Sequence, residues 1–308
     1  MIEVARLTKM YGTTFAVRDV SFRVEKGDIF GFIGPNGAGK TTTIRTLATL
    51  LTPTSGDAFV GGFSALRQPQ EVRRLIGYMP DSFGVYEEMR VGEYLEFFAA
   101  MYGHKGAKRS KLVSDILALV DMEAKREDVI GGLSRGTQQR LGLARVLVHD
   151  PQVLLLDEPA SGIDPRARVE IRELIREMGR MGKTILISSH ILPELGDLCN
   201  KVGIIEKGQM VFSGTIQEAT RLAGGDRVVL VQFATNGDAA RTALEAHPWV
   251  LKVEGTDGTL RVTLRAEAEG PWFIAEAATA AGARLTRLQE EEINLEDAFM
   301  RLTKGIVS

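Results

Sequence analysis

The chain has 308 residues, 44% apolar and 25% charged, with a net charge of −2. That balance excludes a disordered polymer and leaves material for the core of one large domain or two ordinary ones. It also excludes a global basic field that would recruit nucleic acid or an anionic membrane surface. The single cysteine, Cys199, excludes an internal disulfide and fits a reducing compartment, as a buried and inert thiol.

In chain order, the opening MIEVARLTKMYG has no apolar h-region, so no secretory signal is expected. DIFGFIG (28–34) is a β-rich run that stops at glycine. TTTIRTLATLL (41–51) has Ile44, Leu47, Ala48 and Leu51 on one helical face. From about 90 to 125 the pattern is mostly helical, which suggests a helical subdomain over about 88–150 inserted into the core. Within it, KGAKRSK (105–111) reads as a solvated loop or helix start rather than a binding patch.

QVLLLDE (152–158) is apolar on both faces, as a buried parallel strand should be. RARVEIRELIREMGRMG (166–182) is an amphipathic helix ending at Gly182, and KTILISSH (183–190) is a second buried strand. This alternation predicts an α/β core with a parallel sheet over residues 1–222. The longest apolar stretches, such as VLLL (153–156) and TILI (184–187), are too short to span a bilayer, so service to a membrane would need a partner.

The character changes near RLAGGDR (221–227). The remainder reads as strand 228–233, helix 238–246, strand 249–254, a GTDG turn, strand 259–264, helix 271–281, strand 284–289 and a final helix 294–302. That βαββαβ order predicts a small α+β, ferredoxin-like domain over 223–308. No internal repeat or low-complexity tract is evident.

The chemistry concentrates in a few motifs. GPNGAGKT, from Gly34 through Pro35, Asn36, Gly37, Ala38, Gly39 and Lys40 to Thr41, fits the phosphate-loop pattern between a strand and a helix. Its glycines let backbone N–H groups surround a phosphate chain, Lys40 adds a positive charge, and the Thr41 hydroxyl suits Mg²⁺. VLLLDEP puts Asp157 and Glu158 at a strand end, where open α/β sheets bind ligands. Asp157 would hold Mg²⁺ and Glu158 could polarise an attacking water. His190 closes the next strand at the same edge, and Asp164 before Pro165 is a natural helix N-cap. GGLSRGTQQR (131–140) places small polar residues at a helix start, a second place suited to an anion.

The ordered set YG, GPNGAGKTT, LSRGTQQR, VLLLDEP, SGIDP and SSH resembles the nucleotide-binding subunit of ABC transporters over residues 1 to about 220. The tail NLEDAFMRLT (294–303) looks like the C-terminal extension of ABC-2-type exporter ATPases. The resemblance implies the P-loop ABC ATPase fold, ATP and Mg²⁺ as cofactors, and ATP hydrolysis. It implies that Tyr11 stacks on adenine and that Gly37, Gly39, Lys40, Thr41 and Thr42 belong to the phosphate loop. By the same resemblance Asp157 is the Mg²⁺-associated aspartate, Glu158 the catalytic glutamate and His190 the switch histidine, while Asp164 lies in a loop that communicates across the dimer. Residues 131–140 match the LSGGQ signature, whose serine and helix start cap the γ-phosphate of ATP held by the other copy in a head-to-tail pair. Ser134 and Gly136 are the matching residues, and one chain alone would then carry two half-sites.

Two departures from the family pattern stand out. Asp81 occupies the position aligned to a glutamine that touches Mg²⁺ and the attacking water; it is shorter and charged, a hard-metal ligand that could still reach Mg²⁺ through water but cannot donate an N–H. Arg135 and Thr137 stand where the signature has Gly and Gln, so the Arg135 side chain should point away from the nucleotide or add a charge beside the partner's ATP.

The expected function is the ATPase subunit of an exporter, closing as a homodimer on ATP and driving a separate integral membrane permease from the cytoplasmic face of the cell membrane. A soluble ABC ATPase acting on DNA or ribosomes is the alternative, but no coiled-coil or zinc insertion appears, there is one cassette, and the net charge disfavours nucleic acid. A regulatory nucleotide binder is a third reading, which the intact Lys40, Asp157, Glu158 and His190 oppose. For the C-terminal domain, which carries no evident ligand constellation, dimer stabilisation is the expectation, with permease contact or a regulatory ligand as alternatives.

Overall fold

The computed structural model describes residues 1–303 except 83, 224–226, 257, 266, 269 and 292–294, and the side chains of Pro193, Glu194 and Glu291. Parts of four expectations therefore lie outside the described residues: Phe83 beside Asp81, Gly224 to Asp226 of the linker, Asp257 of the GTDG turn, and Asn294 at the start of the final helix. The chain forms two units, one built on Met1–Ala219 and the other on Thr220–Arg301.

The first unit opens with β1 (Ile2–Tyr11) and β2 (Thr14–Val24), then β3 (Ile29–Ile33) and α1 (Lys40–Leu47). β4 (Ser55–Val60), β5 (Phe63–Ser64), α2 (Pro69–Leu75) and β6 (Ile76–Met79) follow. The helical segment holds α3 (Val91–Met101), α4 (Gly106–Leu119) and α5 (Arg135–Leu147). β7 (Val153–Asp157), α6 (Pro165–Arg180), β8 (Thr184–Ser189), α7 (Leu192–Gly196), β9 (Lys201–Glu206), β10 (Gln209–Thr215) and α8 (Ile216–Leu222) complete it.

The main sheet has the order β10-β9-β3-β8-β7-β6, parallel except for the β9–β10 hairpin. Every residue of β7 and β8 is buried, which is why their sequences carry no alternation. A second, antiparallel sheet, β2-β1-β4-β5, was not anticipated. Its alternation is broken because β1 is bulged between Val4 and Leu7, with Arg6 at φ +47°, so the buried residues run Ile2, Val4, Leu7. Phe22 of this sheet stacks on Phe30 of β3 with centroids 5.2 Å apart, joining the two sheets in one core. α3, α4 and α5 pack a separate core around Tyr94, Leu95, Leu117 and Leu141. Among the described residues no helix is long and apolar enough to cross a membrane.

The second unit runs β11 (Val228–Thr235), α9 (Gly237–Glu245), β12 (Val250–Thr256), β13 (Thr259–Leu264), α10 (Trp272–Ala280), β14 (Arg284–Glu291) and α11 (Leu295–Leu302). Its sheet order, β12-β13-β11-β14, is fully antiparallel and follows the ferredoxin-like pattern. Val229, Val231, Leu244, Val262 and Ile274 form its core.

β3 is held at its entry by Asp28. The carboxylate accepts hydrogen bonds from Asn200 Nδ2 (2.8 Å), Lys201 Nζ (2.9 Å) and Glu25 N (2.9 Å), while Asn200 Oδ1 accepts from Ile29 N (2.8 Å). Burial alone would raise the Asp28 pKa, but the bonds from Lys201, Asn200 and Glu25 outweigh it, and the pKa lies below its ordinary 3.8. A lowered folded pKa stabilises the fold above the unfolded value, and that stability is lost as pH falls through the folded value. Asp28→Asn should therefore lose about 1–3 kcal/mol at neutral pH. Urea unfolding of this variant should also fall less steeply than wild type below about pH 4.

Candidate functional site

The site forms where β3, β7 and β8 end side by side. Ile33 is in register with Ser189, and Asp157 with Ser188, so the loop after β3, the carboxylates after β7 and His190 emerge together at the carboxyl edge of the sheet. The loop is clamped from behind. Gly208 N donates to Ala38 O (3.0 Å) and Arg18 N donates to Gly208 O (2.7 Å), tying it through the β9–β10 turn to β2. Gly39 turns the chain into α1 at φ +107°, and a Cβ there would lie 2.6 Å from Ala16 O, so only glycine serves.

Residues Asn36 to Thr42, with Ala16, Asp81 and Glu158, line a cavity of about 210 Å³. Lys40, Thr41 and Thr42 of that lining form the first turn of α1, where backbone N–H groups have no partner within a helix, the usual provision for a phosphate. Lys40 is 5% exposed and donates from Nζ to Gly34 O (2.6 Å) and Pro35 O (3.2 Å). The same nitrogen lies 3.3 Å from Glu158 Oε1.

Asp157 is 1% exposed. Its Oδ1 accepts from Thr41 Oγ1 (3.2 Å) and Ser188 Oγ (2.7 Å). Burial raises its pKa, and the negative charges of Glu158 and Asp81 add to the rise, against the two hydroxyl hydrogen bonds. A buried carboxylate in that setting favours an added cation. Among the described residues no group of three or more His, Cys, Asp or Glu could hold a metal alone. The oxygen set of Thr41, Asp157 and the nearby Asp81 fits Mg²⁺, which keeps most of its shell as water and phosphate oxygens.

Glu158 has a left-handed φ of +52°, an uncommon conformation for a side-chain-bearing residue. Its N–H donates to Ser188 Oγ (3.0 Å), and its Oε2 pairs with His190 Nδ1 (2.8 Å). Oε1 is buried without a hydrogen-bond partner, so beside its ion pair with Lys40 it has lone-pair capacity for a proton donor.

The remaining sequence candidates do not line this cavity. Tyr11 ends β1, is 54% exposed, and has Lys9 Nζ 5.3 Å from its ring centroid. Ser134 is the N-cap of α5: its Oγ accepts from Thr137 N (3.3 Å) and bonds Thr137 Oγ1 (2.9 Å). Gly136 has a packing reason, since a Cβ there would lie 2.7 Å from Ala167 Cβ of α6. Asp164 caps α6 by accepting from Ala167 N (3.0 Å), a bond that holds its carboxyl below the usual range. Sequence reasoning missed Ser188, whose hydroxyl donates to the Asp157 carboxylate and accepts from the Glu158 backbone N–H; its place, the first residue of SSH, became meaningful only through strand register.

A family profile described as ABC transporter matches residues 17–161. The linearmycin resistance ATP-binding protein of Bacillus subtilis (strain 168) is 32% identical over 306 residues, covering 98% of this chain and 98% of its own length. The chain belongs to the ABC transporter ATP-binding proteins. The bacitracin transport ATP-binding protein of Bacillus licheniformis is 34% identical over 308 residues, covering 99% of this chain and 98% of its own. A solved ATP-binding subunit of an ABC transporter is 29% identical with a TM-score of 0.65, covering 72% of this chain and 92% of that one. This ABC subunit is thus an ATPase with the cassette fold, and these two relatives align with at least 98% of its residues.

Ser188 does not itself line the cavity but bonds Asp157 and the Glu158 backbone, and such supporting residues typically carry about 10–100-fold in activity. Ser188→Ala in this ABC ATPase should lower kcat by that factor while leaving the KM for ATP nearly unchanged; steady-state ATPase assays check it, and a wild-type kcat would contradict it.

Proposed function

We propose that this chain is the ATP-hydrolysing subunit of an ABC-2-type export system, acting as a head-to-tail pair of copies beneath a separate membrane permease. The observation that carries the reading is the linked chain Lys40–Glu158–His190, with contacts of 3.3 and 2.8 Å, standing beside the buried Asp157 at one sheet edge. The names of the two full-length relatives, a resistance and a transport protein, favour export over a DNA- or ribosome-associated role. The neutral composition agrees with the absence of nucleic acid from this reading.

In this account adenine stacks on Tyr11 and the phosphates lie along Gly34 to Thr42. Lys40 leaves Glu158 for the β- and γ-phosphates. Glu158 then takes a proton from the attacking water as its oxygen bonds to the γ-phosphorus and the bond to the ADP oxygen breaks. His190 keeps Glu158 turned toward that water. Thr41 and Asp157, with Asp81 reaching through water, would hold Mg²⁺, whose charge neutralises the phosphate oxygens when bound. Ser134 and Gly136 at the start of α5 cap the γ-phosphate held by the other copy, so that closing the pair around ATP and reopening it after hydrolysis moves the permease. The subunit sits on the inner face of the cell membrane through that permease.

Glu158→Gln should keep ATP affinity, lose about 10²–10⁴-fold in turnover, and accumulate an ATP-bound pair detectable by light scattering. Lys40→Ala should instead lose ATP binding itself. Wild-type turnover in the first variant, or wild-type affinity in the second, contradicts the assignment.

A further inference from the structure

The start of α5 rests on the segment that leads away from Glu158. Ser161 N donates to Glu158 O (3.0 Å), closing a turn just after the carboxylate. Asp164 then caps α6, and Arg168 Nε donates to Ile163 O (3.1 Å), so the stretch from Glu158 into α6 is bonded within itself. Two contacts tie α5 to it. One is the close approach of Gly136 to Ala167. The other is Arg135 over Gly162: a Cβ on Gly162 would lie 2.6 Å from Arg135 Cζ and 2.9 Å from Nη2, and nearer still to Nη1. The guanidinium therefore covers the position a side chain on Gly162 would take, and Gly162 is at φ +68°, where other residues are strained.

Among the described residues the Arg135 side chain has no hydrogen bond or ion pair, and it is exposed. It stands at the first position of α5, with no acidic residue in that turn, where a cation opposes the helix dipole. Its contact with Gly162 is thus what the side chain makes within its own chain.

We propose that Arg135 is a positioning residue: packed over Gly162, it sets the place of Ser134 and Gly136 relative to the segment after Glu158. This rests on the shared-site reading above. The start of α5 serves the nucleotide of the other copy, whereas Glu158 serves its own. The Arg135–Gly162 contact then links the cap of one site to the catalytic carboxylate of the next. A planar guanidinium can lie on a bare backbone; a lysine ammonium on its flexible stem cannot substitute for it.

The test compares Arg135→Ala and Arg135→Lys in the full chain. Both should lower kcat about 10–100-fold through misplacement of the cap, with nucleotide binding to the isolated copy, read by fluorescent ATP at low protein concentration, unchanged. Thermal unfolding should also be unchanged, since the side chain is exposed and makes no polar bond. In a Glu158→Gln background, Arg135→Ala should need more ATP to form pairs. Wild-type kcat in Arg135→Ala, or full recovery with Arg135→Lys, overturns the proposal, the latter because charge alone would then suffice. A Glu158→Gln parent that fails to pair on ATP removes the shared-site reading and this proposal together; a parent that pairs, with Arg135→Ala pairing equally well, removes only the role of Arg135.

Discussion

The ion pair between Lys40 and Glu158 is the contact on which the site depends. It spans from the helix after β3 to the turn after β7, with β8 between them carrying Ser188 and leading into His190. Both side chains are largely buried, where an unpaired charge is costly and a paired one is tightly placed. Such a pair can be positioned only if three strand ends stay in register, and the fully buried β7 and β8 supply that stiffness. At the far end of β3, the Asp28 bonds to Asn200 and Lys201 fix the same strand against β9.

In the proposed account the arrangement lets a phosphate act as a switch. Lys40 is shared between two loop carbonyls and a carboxylate, all acceptors that a polyphosphate outcompetes in charge. Its departure then frees Glu158, whose buried Oε1 has no hydrogen-bond partner beside that ion pair. Glu158 remains tied to His190 and to Ser188 through its own N–H, so it is freed in charge but not in place. The strained φ of Glu158 is the local cost of aiming its carboxylate at that position.

Much of this was legible in the sequence, and the limits have physical causes. The motif from Gly34 to Thr41 and the run ending in Asp157 and Glu158 are local, and local signals survive translation into structure. The βαββαβ order of the second unit was legible because its strands alternate and its turns carry glycine. The antiparallel sheet of the first unit was not, because the bulge in β1 breaks the period by one residue. Ser188 and the Arg135–Gly162 contact were not, because each depends on register or packing between segments distant in the chain. Gly136 was singled out for a phosphate, and its contact with Ala167 adds a packing reason that no motif carries.

The central claim is that a complete site takes its phosphate loop from one copy and its α5 start from another. Mixing two inactive variants tests it most directly: Lys40→Ala, which spoils the loop, and Ser134→Arg, which blocks the helix start. In a mixed pair one site receives both lesions and the other receives none, so the account predicts that ATPase activity appears on mixing. Activity no greater than the sum of the separate variants would contradict it, and would mean that each copy completes its own site.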